Sequence, residues 1–339
     1  MKRTFAVVFV LSVILVCTTS LSQTSNFPKG MYKVEAVPLV PHHYQEYMSL
    51  VTGKNSRLTP PNYLAAPGNV VERGIKFIEL PNKVKLEYYE QGDISGIPVI
   101  FLHGISDSWH SYELVLPHLP PTIHAFAISL RGHGDSDKPM SGYFTRDFSS
   151  DIAAFMDRLQ IKSAIIVGHS MGSIVAQRFA LDYPQKTKGL FLIGTFANFA
   201  NNPEVAEFES VVLTLKDPVD TAFAKEFQQS TLVRPIPPEY FNTVVNESLK
   251  LPARVWKSIV GGWFEVDYVN ELKKFNKPTM ILWGEKDSYC PRKDQDILSA
   301  AIKGSQLVIY KGTGHAVHWE EPARFSGDLV SFIKKVEKE

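Results

Sequence analysis

Gly168-His169-Ser170-Met171-Gly172 stands where the apolar run Ala164-Ile165-Ile166-Val167 gives way to a helix-like spacing at Ile174, Val175, Phe179 and Ala180. A strand that turns sharply into a helix leaves little room at the turn. Glycines two residues either side of the serine relieve that crowding and lift its hydroxyl clear. A free hydroxyl is a poor nucleophile at neutral pH, so it needs a nearby base and backbone donors for a developing oxyanion. The stretch therefore makes a demand on residues far away in the chain, and histidine and aspartate residues in loop contexts downstream can meet it.

The rest of the chain is consistent with one large core plus an insertion. At 339 residues and 44% hydrophobic, it is long and apolar enough for that and unlike disordered or fibrous sequences. The formal net charge is +1 and no Lys/Arg-rich block interrupts the chain beyond the start, which argues against a nucleic-acid footprint or a polybasic membrane patch. The beginning reads as a secretory signal peptide over residues 1–22, with basic Lys2-Arg3, an apolar run from Phe5 to Val16 and small polar residues after it. That run is shorter than the ~20 residues a membrane anchor needs, so no stable insertion is expected once the leader is cleaved. Bulky Leu15 and Val16 ahead of Cys17 argue against lipid attachment there. Losing Lys2 and Arg3 takes two from the 36 basic residues, leaving 34 against 35 acidic. The expected destination is the periplasm or the exterior. Cys290 is then the only cysteine of the mature chain, so no internal disulfide can form, and it reads as a half-buried loop thiol rather than a nucleophile.

Residues 23–69 are rich in Pro, His, Tyr and Asn and read as an N-terminal extension; His42-His43 lacks the spaced partners of a metal site. Regular signals begin after that. Runs at 75–80 and 84–89, parted by Pro81-Asn82, predict a hairpin, and 98–102, 123–130, 164–167 and 189–193 predict further strands. Helices are predicted over 109–119, 148–159 and 173–182. Alternating strands and helices imply an α/β fold with a mostly parallel sheet covered on both faces, its chemistry beyond the carboxyl ends of the strands. From 196 to 268 four helix-like patterns with Pro-rich breaks and no convincing strand predict an inserted helical cap. Alternation resumes at 279–283, 291–302, 306–310 and 323–336. The domain reading is thus core at 70–195, cap at 196–268 and core again at 269–339.

Four motifs in order carry a resemblance: His103-Gly104, Arg131-Gly132-His133-Gly134, Gly168-His169-Ser170-Met171-Gly172, and Trp283-Gly284-Glu285-Lys286-Asp287 followed by Gly312-Thr313-Gly314-His315. Over residues 75–336 the chain resembles the α/β-hydrolase superfamily, in its capped branch of esterases, lactonases and carbon–carbon bond hydrolases. The resemblance implies an α/β-hydrolase fold with about eight strands and a catalytic triad. Ser170 is its nucleophile, His315 its base, with His318 as rival, and Asp287 its acid, with Glu285 as rival. It places the oxyanion hole at the N–H groups of Met171 and Ile105. His103, Arg131 and His133 are read as loop-holding residues. Trp109, Met171, Phe196, Phe199, Trp263 and Trp319 are candidates for an apolar pocket, each also explicable as core packing.

Serine rather than aspartate at 170 separates the chain from the epoxide hydrolases and haloalkane dehalogenases of this fold and points to an acyl-enzyme. The expected activity is hydrolysis of a carboxylic ester of a small, largely apolar substrate, with a lactone as close variant and neither cofactor nor metal. Carbon–carbon bond hydrolysis and perhydrolysis would use the same triad, and a ligand-binding receptor would keep the fold without fast turnover.

Overall fold

The computed structural model describes residues 71–199 and 202–338; the leader expected at 1–22 and the extension at 23–69 lie outside them. Eight strands form one sheet: β1 (Gly74–Glu79), β2 (Lys85–Gln91), β3 (Ile97–Leu102), β4 (Ile123–Ile128), β5 (Ala164–His169), β6 (Thr187–Ile193), β7 (Thr279–Gly284) and β8 (Gln306–Tyr310). Their order is β1-β2-β4-β3-β5-β6-β7-β8. β1 and β2 form the expected antiparallel hairpin, and β2 also runs antiparallel to β4. All other pairings are parallel. This is the α/β-hydrolase fold read from the sequence.

Side chains alternate across a strand, so each central strand feeds two separate cores. Ile100, Leu102, Ile166, Leu190 and Leu192 point to one face, where they meet Phe148, Ile152 and Phe155 of α1 (Thr145–Arg158) and Ile174, Val175 and Phe179 of α2 (Met171–Asp182). Val99, Phe101, Val167, Phe191 and Ile193 point to the other, against Phe325, Leu329 and Phe332 of the C-terminal helix. Each fully buried side chain of this size contributes about 1.5–3 kcal/mol. Cores on both faces explain why β4, β5 and β7 are buried along their whole length rather than alternating.

Register then fixes where the loops converge. Leu102 lies opposite Gly168, Gly168 opposite Leu192, Ile193 opposite Leu282, and Gly284 opposite Tyr310. The residues that follow these positions, 103–107, 170, 194–196, 285–290 and 311–315, therefore leave the sheet at one edge.

Between β6 and β7 lie α3 (Pro203–Val212), α4 (Thr221–Ser230), α5 (Pro238–Leu249), α6 (Ala253–Val260) and the one-turn α7 (Val269–Leu272). α8 (Arg292–Ala301), the one-turn α9 (Val317–Glu320) and α10 (Pro322–Val336) complete the chain. The four helices expected in the insertion are present. α3 ends at Val212, and α6 ends at Val260 before Gly261-Gly262 and a short 3₁₀ turn, Trp263–Glu265. Among the described residues no helix is long and apolar enough to cross a membrane.

The helix expected over 109–119 is not formed. Two separate 3₁₀ turns, Trp109–Tyr112 and Leu116–His118, stand there instead. Pro117 has no N–H to give to an α-helix, while Ser108 caps the first turn by accepting from the His110 N–H. The apolar spacing that resembles a helix instead drops Tyr112 and Leu116 into the core.

Candidate active site

The turn from β5 into α2 holds Ser170 at φ 52, ψ −119, a conformation a non-glycine residue adopts at a cost. Close packing around the turn requires the two flanking glycines. A Cβ on Gly168 would lie 2.3 Å from the Gly172 carbonyl oxygen, and one on Gly172 would lie 2.2 Å from the Leu102 carbonyl oxygen. Ser170 donates its own N–H to Ile193 O at 3.0 Å, tying the strained residue to β6. Its carbonyl accepts from the Ser173 N–H and hydroxyl at 2.9 and 2.6 Å. The serine thus sits at the amino end of a helix, where partial positive charge favours a nearby anion.

His315 enters from the loop after β8, its backbone N–H bound to Thr231 O at 2.9 Å. Its Nδ1 lies 2.8 Å from Asp287 Oδ2, and both side chains are buried. With Nδ1–H donating to the carboxylate, Nε2 keeps its lone pair. Asp287, in the loop after β7, accepts through Oδ1 from the N–H groups of Tyr289 and Cys290, each at 2.9 Å. Three donors thus hold this acid in place. Glu285, the rival acid, is exposed and accepts from the Gly312 N–H. His318, the rival base, is buried behind the site with Nε2 at 3.1 Å from Ser111 Oγ, and burial lowers its pKa to about 3.

Ser170 and His315 line one cavity, together with Ile105 and Met171. Among the described residues the backbone hydrogen bonds take up the N–H groups of Asp107, Ser170 and Ser173 but neither that of Ile105 nor that of Met171. Four of the expected pocket residues, Met171, Phe196, Phe199 and Trp263, line the cavity. Trp109 and Trp319 do not: the first stacks on Tyr89, and the second donates to Ser111 O at 2.8 Å. The helical insertion adds Val205, Phe208 and Phe227 to the wall, and the loop after β7 adds Tyr289.

Asp287, Cys290 and His315 place three potential ligand atoms within 4.8 Å of one another. Their chemistry is that of a hydrogen-bonded pair with a thiol beside it. Metal ligation needs thiolate, yet burial pushes the Cys290 thiol well above its usual range, and its Sγ–H donates to Gly194 O at 2.9 Å. Cys290 is fully buried, not half-buried as expected from its loop position.

The loop-holding residues behave as expected. His103 accepts the Leu130 N–H on Nε2 and donates from Nδ1 to Gly104 O at 2.7 Å, and burial lowers its pKa to about 4. Arg131 grips Asp151 through two nitrogens, and the His133 Nδ1 contacts Arg131 O. One buried acid was not singled out from the sequence. Asp107 follows the Ile105 loop, and burial raises its carboxyl to about 7, opposed by the Gln228 amide and the nearby His315.

A family model described as the alpha/beta hydrolase fold matches residues 97–322. The chain belongs to that family. Among curated relatives, this hydrolase is 26% identical to a non-heme chloroperoxidase from Streptomyces lividans over 73% of the chain and 95% of the relative. It is 24% identical to Lipase 3 from a Moraxella species, over 78% of the chain and 86% of the relative. An esterase structure from Exiguobacterium antarcticum superposes with a TM-score of 0.69 at 24% identity, covering 76% of this chain and 99% of that one. That likeness is one of fold.

The cavity walls Phe208, Phe227 and Tyr289 escaped the sequence reading of this hydrolase. Their only signal is apolar spacing on helical and loop segments, which core packing produces equally.

Proposed function

We propose that this hydrolase cleaves a carboxylic ester of a small, largely apolar substrate through Ser170, His315 and Asp287. The observation that carries the reading is the placement of Ser170 on the same apolar cavity as a His315 whose Nδ1 is held by Asp287. In the proposed sequence Ser170 Oγ attacks the ester carbonyl while its proton passes to His315 Nε2. The oxyanion is met by the Met171 N–H at the amino end of α2 and the Ile105 N–H of the loop after β3. His315 then gives the proton to the departing alkoxide, leaving an acyl-enzyme. Water, deprotonated by His315, attacks that ester and releases the acid, restoring the serine hydroxyl. The insertion α3–α7 acts as a cap that walls the acyl or alcohol group with Phe208, Phe227 and Trp263.

Among the described residues that line the cavity there is no lysine or arginine, so none of these would give a counter-charge to a substrate carboxylate, as in the dienoic acids of carbon–carbon hydrolases. The likeness to a chloroperoxidase supports a second reading, perhydrolysis, in which hydrogen peroxide replaces water as the attacking group on the same acyl-enzyme.

The purified protein is expected to hydrolyse p-nitrophenyl acetate, butyrate or octanoate and to take up one alkyl fluorophosphonate on the peptide containing Ser170. Failure of all esters and lactones, or label elsewhere, removes the reading. Added peroxide yielding peracid at the expense of acid selects the perhydrolase variant.

A second, smaller pocket, lined in part by Tyr143, Phe148 and Ile259, shares Met171, Ile174 and Trp263 with the first. Trp263, stacked on Phe199 with ring centres 4.6 Å apart, lines both. Trp263→Ala is expected to join the two and raise the octanoate-to-acetate ratio of kcat/KM by about tenfold or more, the span a few buried methylenes command. An unchanged ratio would show that the second void takes no part in substrate binding.

A further inference from the structure

Immediately after Ile105 the chain adopts a costly shape. Ser106 holds φ 67, in the left-handed region, and Ser106, Asp107 and Ser108 are all buried. Two helices of the insertion reach into this turn. Gln228 of α4 donates from Nε2 to Asp107 Oδ1 at 2.9 Å and to Ser248 Oγ at 2.8 Å, with Ser106 Oγ at 3.4 Å. Ser248 of α5 meets Ser106 Oγ at 3.0 Å. On its far side the turn abuts the nucleophile: a Cβ on Gly104 would sit 3.1 Å from Asp107 Oδ2 and 3.3 Å from Ser170 Cβ. Phe227 faces the cavity while its neighbour Gln228 faces the turn, so one residue pair of α4 touches both substrate space and the oxyanion loop.

Stability alone does not account for this cluster. Gln228 and Ser248 are wholly buried, and replacing such polar groups together by apolar ones of equal shape can be near neutral or even stabilising. What hydrogen bonds add here is direction. They fix a strained turn directly after the residue that presents the proposed oxyanion donor.

We propose that Gln228, acting through Asp107, Ser106 and Ser248, is a positioning residue that sets the Ile105 N–H against the oxyanion, so that the hole is complete only when α4 and α5 are seated. The inference rests on the ester-hydrolase reading above. It makes the cap part of the catalytic geometry rather than a cover.

Gln228→Met keeps volume and removes the donors. The expected result is a fall in kcat of about 10²-fold, the scale of one misplaced oxyanion donor, with KM for p-nitrophenyl butyrate within about twofold of wild type. Affinity for a trifluoromethyl ketone, which forms a tetrahedral oxyanion on the serine, should fall in parallel, while binding of the corresponding non-electrophilic methyl ether holds. Ser248→Ala, which leaves Gln228 in place but frees Ser106, should show the same split to a smaller degree and decides the matter if the first variant does not fold. Unchanged kcat and ketone affinity in a folded variant, or equal weakening of ketone and ether, would overturn the assignment while leaving the ester reading intact. A wild-type protein that hydrolyses no ester overturns both.

Discussion

Ser170→Ala is expected to lower kcat/KM for p-nitrophenyl butyrate by at least about 10⁴-fold and to abolish phosphonate labelling. Triad members act as one unit, so losing the nucleophile removes nearly the whole covalent route and leaves only binding and oxyanion stabilisation. KM should change little, because the hydroxyl is small beside the apolar wall formed by Phe196, Phe208 and Phe227. A companion variant tests the backbone. Ser170 carries its side chain at φ 52, a conformation glycine reaches without penalty, so Ser170→Gly should be as inactive as Ser170→Ala yet more stable by about 1 kcal/mol. In a protein of this size that is a rise in Tm of roughly 1–2 °C, readable by calorimetry. Inactivity with a raised Tm would show that the turn is strained to present the hydroxyl. Substantial turnover in either variant would remove Ser170 from the chemistry.

The residues of the proposed triad were legible in the sequence because their surroundings are local. Glycines at 168 and 172 record the contact with the neighbouring turn of helix and with β3, and Gly312-Thr313-Gly314 marks the loop that delivers His315. The fold was legible because strands buried on both faces read as continuous apolar runs, as at 164–167. Residues 109–119 misled for a related reason. Trp109, Tyr112, Leu116 and Leu119 fall at helical intervals, but Pro117 overrides the spacing and the same side chains are buried from two 3₁₀ turns and the extended residue after them. Asp107 and Gln228 are separated by 121 positions, and each alone is an ordinary polar residue of a loop or a helix. Only the tertiary fold reveals that burial has joined them.

Asp287→Asn is expected to cost about 10⁴-fold in kcat with the fold retained, since the amide is close to isosteric with the carboxylate. The carboxylate Oδ1 is already committed to the Tyr289 and Cys290 N–H groups, so the oxygen of an asparagine amide would settle there. Its NH₂ would then face His315 Nδ1 at the position now 2.8 Å away. Two donors cannot share that contact, so the imidazole would move its proton to Nε2, the nitrogen that must accept from Ser170. The charge that offsets the imidazolium would vanish at the same step. A shift of the downfield Nδ1–H proton resonance, present in the wild type and absent in the variant, reports the tautomer independently of rate. Loss of activity with that resonance retained would assign Asp287 a role other than orienting His315. Asp287→Ala should fall comparably but also lose stability, because the two N–H groups it satisfies would be left buried without acceptors at about 1–3 kcal/mol each.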